Sequence, residues 1–269
     1  MGKISDALER HQKETSIKTE RLPLGKEQQR IDRSPALKPP GKSFIPEGFN
    51  SKLVVLSAPQ SLEAENFKTL RSQILFPKND KSPRTILVTS AFPGEGKTFV
   101  SSNLAVTIAL GINEYVLLVD CDFRSPDLHN MFSCSNAQGL TDRLTGRKDL
   151  PELLIKTKIE KLSLLTAGRP PSNPAELLSS TSMKEFVDEV KARYEDRYII
   201  LDATPSQITA EANVLANYVD GVIFVVMAEK SPRDVIERNI EDMNREKILG
   251  IVFNGYRPKY KSYHGYYHR

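Results

Sequence analysis

A strand, a glycine-containing turn and the start of a helix follow one another within residues 85–98, and this stretch constrains the fold more than any other. Residues 85–89 are β-branched or aliphatic, which is typical of a strand buried on both faces. A turn with one proline and two glycines comes next, and Lys97 and Thr98 then open a segment with helical spacing of apolar residues. The stretch therefore predicts a strand–loop–helix unit of the kind that binds phosphate.

The chemistry of this loop follows from its residue types. Its backbone N–H groups and the positive end of the following helix can bind phosphate oxygens. Lys97 is expected to reach the β- and γ-phosphates of a nucleotide, and the Thr98 hydroxyl to hold Mg²⁺. Ala91 stands where the usual G-x-x-x-x-G-K-[ST] pattern has its first glycine, so a glycine-rich loop without nucleotide is the alternative. The candidate nucleotide-binding residues of the loop are Pro93, Gly94, Glu95, Gly96, Lys97, Thr98 and Phe99.

Three aspartates stand at the ends of two further predicted strands. Residues 115–120 form an aliphatic run that ends in Asp120, and Asp122 follows two positions later. Residues 198–201 form another such run and lead to Asp202. Because parallel strands bring their carboxyl ends to one edge of a sheet, we expect these carboxylates to lie over the phosphate-binding loop. A lone aspartate at such a place is often a turn former, but two acidic strand ends beside this loop favour Mg²⁺ binding.

Between residues 51 and 255 the chain alternates helical and strand patterns. This alternation predicts an α/β fold in which a mostly parallel sheet carries helices on both faces. Together with the phosphate-binding loop, it resembles the three-layer sandwich of P-loop NTPases such as MinD and ParA. Helices are expected at residues 61–76, from 97 onward, 139–146, 173–178, 183–194, 210–217 and 232–244, and strands at residues 53–56, 85–89, 115–120, 162–166, 198–201, 222–227 and 248–253. Asn254 follows the last strand, where its amide could bind a nucleobase or form a turn.

Composition limits the functions that are open to the chain. A net charge of +4 over 269 residues is too small to indicate nucleic acid by itself, and no run of about 18 apolar residues could span a membrane. Met1 is followed by polar and charged residues, so we expect no secretion signal and a cytoplasmic protein. Cys121 and Cys134 lack metal-binding spacing and fit a reducing compartment. The composition of residues 1–50 predicts a flexible basic arm. A short amphipathic helix at its tip could dock on a partner, and the alternative is that the arm merely solubilises the chain.

The last stretch, residues 256–269, concentrates five of the nine tyrosines of the chain among basic side chains. These tyrosines are Tyr256, Tyr260, Tyr263, Tyr266 and Tyr267. The stretch has no aliphatic residue, so we expect an exposed tail. Clustered tyrosines with lysines and arginines suit either stacking on single-stranded nucleic acid or modification of the tyrosines themselves. Because a phosphoryl-transfer site is predicted on the same chain, we favour phosphate acceptors and expect no nucleic acid partner.

Several motifs together resemble one family, the bacterial tyrosine autokinases (BY-kinases) of capsular and exopolysaccharide synthesis in their cytoplasmic kinase form. The loop AFPGEGKT is similar to the Walker A motif of that family, LLVDCDFRSP to its Walker A′ strand and IILDATP to its Walker B strand. GLTDRLTG, NPAELL and the tyrosine-rich end match further family segments, so the resemblance extends from about Glu63 to the C-terminus. Walker B usually reads D-x-P-P in these kinases, and the residues after Asp202 differ here while the aspartate is retained.

The resemblance implies an ATP- and Mg²⁺-dependent protein-tyrosine kinase that phosphorylates the tail of a neighbouring copy in a ring. A tyrosine hydroxyl has a pKa near 10, so it benefits from a base, for which Asp122 is the candidate. Asp120 and Asp202 would organise Mg²⁺ together with Thr98, although Asp120 and Asp122 could exchange roles. Lys97 would stabilise charge on the transferred phosphoryl group.

The resemblance also implies partners. Many relatives carry a fused membrane-spanning chain-length regulator, and this chain resembles the split arrangement instead. A separate membrane-bound polysaccharide chain-length or export protein would then recruit the kinase to the inner face of the membrane and activate it. A cognate tyrosine phosphatase would reverse the modification. Glu65, Lys68 and Arg71 stand where the family has an E-x-x-R-x-x-R oligomerisation motif, with lysine in place of the first arginine, and the alternative for them is intrahelical salt bridges.

Two other functions fit parts of the sequence. A partition or positioning ATPase of the ParA/MinD type would share the fold, but such proteins carry K-G-G-x-G-K-T, and Phe92 occupies the position of its first lysine. They also lack a tyrosine tail. A catalytically silent scaffold would use the tail only as a basic and aromatic contact surface.

Overall fold

The computed structural model describes residues 49–77, 82–193 and 196–256. Its strands are β1 (Thr85–Ser90), β2 (Tyr115–Asp120), β3 (Ile155–Lys156), β4 (Leu162–Leu165), β5 (Arg197–Asp202), β6 (Gly221–Met227) and β7 (Ile248–Asn254). They form one sheet in the order β3-β4-β2-β5-β1-β6-β7, in which only the β3–β4 pair is antiparallel. The predicted mostly parallel α/β architecture is confirmed, and the two-residue strand β3 is an addition to it.

Helices cover both faces of this sheet. They are α1 (Val54–Ser57), α2 (Leu62–Leu75), α3 (Lys97–Ala109), α4 (Leu128–Met131), α5 (Leu140–Leu144), α6 (Leu150–Leu153), α7 (Pro174–Leu178), α8 (Thr181–Arg193), α9 (Glu211–Tyr218) and α10 (Arg233–Asp242), with a 3-10 turn at Arg245–Lys247. Helices α1 to α4 pack against one face and α5 to α9 against the other. Successive strand residues alternate between the two cores, since Leu87 faces one and its neighbours Ile86 and Val88 face the other.

The centre of the sheet positions the polar residues at its carboxyl edge. Strand β1 lies between β5 and β6, and all six of its residues are buried. Strand β2 pairs with β5 in a register that sets Asp120 directly opposite Asp202. The loop after β1 and these two aspartates therefore leave the sheet at the same edge, as the sequence predicts for parallel strands.

The strand predicted at residues 53–56 is wrong, because this segment forms the short helix α1. Leu53 and Val55 are buried in the core beside α3. Asn103 of α3 supplies the hydrogen-bond partners that a neighbouring strand would otherwise supply. Its amide oxygen accepts from Val55 N at 3.3 Å, and its amide nitrogen donates to Lys52 O at 3.0 Å. A single buried side chain thus satisfies the backbone that an edge strand would have left unpaired.

Helix α2 confirms the helix predicted at residues 61–76. Ala64, Phe67 and Ile74 form its buried stripe, whereas Leu62 in the first turn is 55 % exposed. The Ser61 side chain accepts a hydrogen bond from Ala64 N and caps the first turn. No helix within the described ranges is both long and apolar enough to cross a membrane. Apart from residues 49 and 50, the predicted arm lies outside the described residues, as do the tail residues after Tyr256.

Asp220 joins three elements at the amino-terminal edge of the sheet. Its Oδ2 accepts hydrogen bonds from the backbone N–H groups of Arg84 at 3.0 Å and Thr85 at 2.8 Å, and its Oδ1 lies 2.9 Å from Lys191 Nζ. Partial burial opposes ionisation of this carboxyl, but the bonds from Lys191 and Thr85 outweigh burial and lower the pKa of Asp220.

We expect Asp220→Asn to lower the free energy of unfolding by about 1–2 kcal/mol at neutral pH, because a partly exposed, charge-assisted acceptor is lost. The folded pKa lies below the unfolded value of about 3.9, so this stabilisation is full above that value and disappears as the pH falls through the folded pKa. Urea unfolding of both proteins across this range measures the difference. The exposed Asp188→Asn is the control, and a difference that persists below the folded pKa contradicts the ion-pair explanation.

Candidate active site

The phosphate-binding loop leaves the carboxyl end of β1 and enters the amino-terminal end of α3. Gly94 and Gly96 adopt left-handed conformations with φ of 78° and 94°, which favour glycine over any residue with a Cβ. In the described residues, the backbone N–H groups of residues 94–98 have no protein acceptor. Unpaired N–H groups at the positive end of a helix form a binding site for an anion such as phosphate.

Asn254 lies against this loop from the end of β7. Its Nδ2 donates to the Glu95 carbonyl at 2.8 Å, and a Cβ added to Gly96 would collide with the Asn254 amide. The close approach explains why glycine is needed at position 96. The nucleobase contact that the sequence suggests for Asn254 stays a prediction, and in this structure the amide nitrogen holds the loop.

The side chain of Glu95 does not point out of the loop toward a ligand. It is 3 % exposed, and its Oε2 accepts from Phe92 N at 2.7 Å. Its Oε1 accepts from Met227 N at 3.1 Å and from the Ser231 hydroxyl. Of Glu95, therefore, only the backbone N–H is in a position to serve as a phosphate ligand.

Two of the three predicted carboxylates face each other in complete burial. Asp120 accepts hydrogen bonds from the backbone N–H groups of Asp122 at 3.1 Å and Leu128 at 3.2 Å. Burial raises the pKa of Asp120 well above its usual value, and the nearby charge of Asp202 adds to this effect. The backbone thus fixes the Asp120 carboxylate, while its charge is unfavourable without a cation close by.

Asp202 is a buried carboxylate whose oxygens make no well-aligned hydrogen bond in the described part of the chain, although the hydroxyls of Thr98 and Ser101 lie near enough to favour its ionised form. Burial raises the pKa of Asp202 to about 7, and the hydroxyl of Thr98 and the ammonium of Lys97 only partly oppose this effect. A buried, unpartnered carboxylate is costly unless a cation binds to it. The chemistry of Asp202 beside Thr98 and Asp120 therefore fits Mg²⁺, which prefers oxygen ligands.

No cluster of three or more His, Cys, Asp or Glu side chains in the described ranges is arranged to hold a metal ion alone.

Lys97 and Asp122 form a long, nearly buried ion pair. Lys97 Nζ lies 3.8 Å from Asp122 Oδ2, and the other oxygen of Asp122 accepts from Ser125 N at 3.0 Å. Burial raises the pKa of Asp122, with the Ser125 bond and the Lys97 charge opposing it. Asp122 is 6 % exposed and Asp120 is 0 % exposed, so Asp122 is the more accessible of the two to an incoming group.

Comparison with known proteins identifies the family of this chain. A family model described as an AAA domain matches residues 83–245. The tyrosine-protein kinase YwqD of Bacillus subtilis (strain 168) is 35 % identical over 217 residues, which cover 80 % of this chain and 90 % of YwqD. The chain belongs to the bacterial tyrosine kinases.

Solved structures place the kinase in the same fold. The kinase domain of the Escherichia coli tyrosine kinase ETK aligns with a TM-score of 0.69 at 26 % identity, covering 77 % of this chain and 83 % of that one. The septum site-determining protein MinD of Pyrococcus horikoshii OT3 aligns with a TM-score of 0.54 at 22 % identity, covering 63 % and 69 % of the two chains. The MinD likeness shows the fold alone. The kinase relatives favour the tyrosine kinase over the positioning ATPase that the sequence left as an alternative.

The kinase holds a further ion pair at this edge, with one buried partner, that the sequence analysis does not predict. Glu211, at the start of α9, is fully buried, and its Oε1 accepts from Arg124 Nε at 3.0 Å and lies 2.9 Å from Arg124 Nη2. Arg124 itself is half exposed and follows Asp122 by two positions. The helical spacing of Ala212, Leu215 and Ala216 was the available signal, because it places Glu211 on the buried face of α9.

The residues predicted to join subunits make contacts within the chain. Lys68 Nζ lies 2.7 Å from Glu65 Oε1, as the intrahelical alternative expects. Arg71 Nη1 donates to the carbonyl of Thr107 in α3 at 3.1 Å. Their role in oligomerisation stays a prediction. Tyr256 is 64 % exposed just after β7, and the other four predicted acceptors, Tyr260, Tyr263, Tyr266 and Tyr267, lie outside the described residues.

Proposed function

We propose that this kinase uses ATP and Mg²⁺ to phosphorylate the tyrosines of its own C-terminal tail, on a neighbouring copy of the chain, and thereby regulates polysaccharide synthesis. One observation carries the proposal: an anion-binding loop, Lys97 and the unpartnered buried carboxylate of Asp202 converge at one edge of the sheet of a tyrosine kinase. The proposed acceptors are Tyr256, Tyr260, Tyr263, Tyr266 and Tyr267.

Nucleotide binding is assigned to the loop and its surroundings. The backbone N–H groups of residues 94–98 bind the phosphates. The Lys97 ammonium stabilises the negative charge on the terminal phosphoryl group while that group is transferred. Asn254 contributes through the loop carbonyl that it holds. Thr98, Asp120 and Asp202 are the residues that would hold Mg²⁺. When bound, this ion neutralises phosphate charge and completes the electrostatic balance of two buried carboxylates.

Asp122 is assigned as the base. The tyrosine oxygen attacks the γ-phosphorus of ATP as the bond from that phosphorus to the bridging oxygen of the β-phosphate breaks and ADP leaves, and a carboxylate within hydrogen-bond reach can accept the proton that the hydroxyl loses. Asp122 Oδ2 is the oxygen that faces Lys97, and backbone bonds occupy both oxygens of Asp120. The raised pKa of Asp122 makes its carboxylate a better proton acceptor than an ordinary aspartate.

The tail begins beside the phosphate-binding loop, where the nucleotide that donates the phosphoryl group is proposed to bind. Asn254 holds that loop, and the exposed Tyr256 follows two positions later. Transfer between neighbouring copies in a ring is proposed from the family resemblance, with Glu65, Lys68 and Arg71 as the contact residues. A membrane-bound polysaccharide chain-length or export protein is the proposed activator at the inner face of the membrane, and a tyrosine phosphatase the proposed antagonist.

The test is to map phosphate on the tail by mass spectrometry. The purified full chain is incubated with ATP and Mg²⁺, with and without cytoplasmic segments of candidate activators. We expect phosphotyrosine within residues 256–269. ATP hydrolysis without phosphotyrosine indicates an ATPase of the MinD type, and neither activity indicates a silent scaffold.

A mixing experiment tests transfer between copies. One chain has all five tail tyrosines replaced by phenylalanine, so it can donate but not accept phosphate. The other carries Lys97→Met with an intact tail, so it can accept but not donate. We expect phosphotyrosine on the second chain only when both are present, and its absence in the mixture would contradict transfer between subunits.

A further inference from the structure

The buried carboxylate of Glu95 connects the phosphate-binding loop to a distant segment of the chain. One oxygen accepts from Phe92 N at 2.7 Å within the loop, and the other accepts from Met227 N at 3.1 Å and from the Ser231 hydroxyl. Met227 ends β6, and Ser231 lies in the turn that leads to α10. We call this set of four residues, Phe92, Glu95, Met227 and Ser231, the Glu95 brace.

The brace is closed on its other side by β7. Met227 and Asn254 are partners in the β6–β7 register, and Ala228 N donates to Asn254 O at 2.9 Å. Asn254 Nδ2 in turn donates to the carbonyl of Glu95 at 2.8 Å. The loop is therefore attached at one residue, Glu95, to the carboxyl ends of both β6 and β7.

A negative side chain in a loop that binds phosphate needs a physical reason. Charge alone would make Glu95 unfavourable for a nucleotide, since like charges repel. Three donors converge on this carboxylate, and a carboxylate offers only acceptors, so each donor is satisfied. The bonds pull the side chain inward, while the backbone N–H groups of residues 94–98 remain free for phosphate.

We infer that Glu95 is a positioning residue, which sets the conformation of the phosphate-binding loop by locking it to the ends of β6 and β7 and so determines nucleotide affinity. The inference deepens the proposed function and rests on its nucleotide site. It assigns to Glu95 an effect on binding that is opposite in sign to that of its charge.

Two single substitutions separate the brace from the charge. Glu95→Gln keeps the shape but removes the charge, and its amide must place an N–H group against one of the donors. Ser231→Ala keeps the charge and removes one donor. If the brace dominates, both weaken MgADP binding, Glu95→Gln by about tenfold and Ser231→Ala by about threefold, because the first substitution weakens all three bonds to the carboxylate and the second removes one of them. If the charge dominates, Glu95→Gln tightens binding.

The experiment measures the dissociation constant of MgADP by calorimetry, the KM for ATP and kcat of tail phosphorylation, and the unfolding midpoint. The positioning role predicts a raised KM with kcat within about twofold, because the loop acts on binding before the chemical step. The control is Glu185→Gln, which removes an exposed acid from α8. The double variant should lose less affinity than the product of the two single effects, since removing the charge already weakens the Ser231 bond that the amide oxygen can still accept.

Each outcome decides something. Unchanged or tighter MgADP binding by Glu95→Gln overturns the inference, as does an additive double variant. If Glu95→Gln does not fold, Ser231→Ala alone carries the test, and wild-type affinity in that variant overturns the inference. A wild-type chain that binds no nucleotide contradicts the proposed function instead, and this outcome is distinct because it appears before any substitution is made.

Discussion

Lys97→Met is expected to lower phosphorylation of the tail by about a thousandfold or more, because one cation serves two tasks at the site. The first task is to stabilise the negative charge on the terminal phosphoryl group during its transfer. The second is to neutralise Asp122, since Lys97 Nζ lies 3.8 Å from Asp122 Oδ2 and both side chains are nearly buried. Methionine keeps the length and apolar character of the side chain but leaves the buried carboxylates of Asp122 and Asp202 without this charge. Nucleotide affinity should fall as well, since the ammonium attracts phosphate in both ground and transition states.

The measurement is the rate of phosphotyrosine formation in the tail, followed by quantitative mass spectrometry with excess enzyme activator where one is needed. The control is Lys184→Met, which removes an exposed lysine from α8 and should keep the wild-type rate. If the unfolding midpoint of Lys97→Met is near that of wild type, the loss of activity comes from the phosphoryl-transfer step and not from unfolding. Residual activity above about a tenth of wild type would mean that the loop amides alone stabilise the transferred group, contrary to the role assigned to Lys97.

Strands β1 and β2 could be predicted from sequence because each carries a run of consecutive aliphatic residues, at positions 86–88 and 116–119. Strand β7 was predicted from a similar apolar run, although it lies at the edge of the sheet and most of its residues are exposed or half-buried. The segment at residues 53–56 has a similar composition but is four residues long, and the side chain of Asn103 decides its conformation from α3. Strand β3 has two residues, too few to carry a period.

The candidate site was predictable where topology alone brings residues together. Asp120 and Asp202 meet because the carboxyl ends of neighbouring parallel strands must meet, and this needs no knowledge of side chains. The orientation of Glu95 and Asn254 was not predictable in this way. Glu95 is separated by 132 residues from its partner Met227, and Asn254 by 159 residues from its partner Glu95. Only the packed fold decides whether such a side chain faces the ligand or the protein.

Asp122→Asn is expected to lower kcat for tail phosphorylation by a factor of about 10² to 10⁴, the usual contribution of a positioned base. Asparagine has the same shape, but its amide cannot accept the proton of the tyrosine hydroxyl. Nucleotide affinity should stay within about threefold of wild type, because Lys97 loses an ion-pair partner and remains available to phosphate. Single-turnover phosphorylation and MgADP calorimetry give the two quantities separately.

The matched variant is Asp120→Asn, which tests whether the two aspartates have exchanged roles. Backbone N–H groups hold both oxygens of Asp120, and its buried charge faces Asp202, so its assigned partner is Mg²⁺. Asp120→Asn should therefore raise the Mg²⁺ concentration needed for half-maximal activity, whereas Asp122→Asn should leave it unchanged. If excess Mg²⁺ restores Asp122→Asn and not Asp120→Asn, Asp122 is the metal ligand and Asp120 the base, and the assignment made from their burial and hydrogen bonds is reversed.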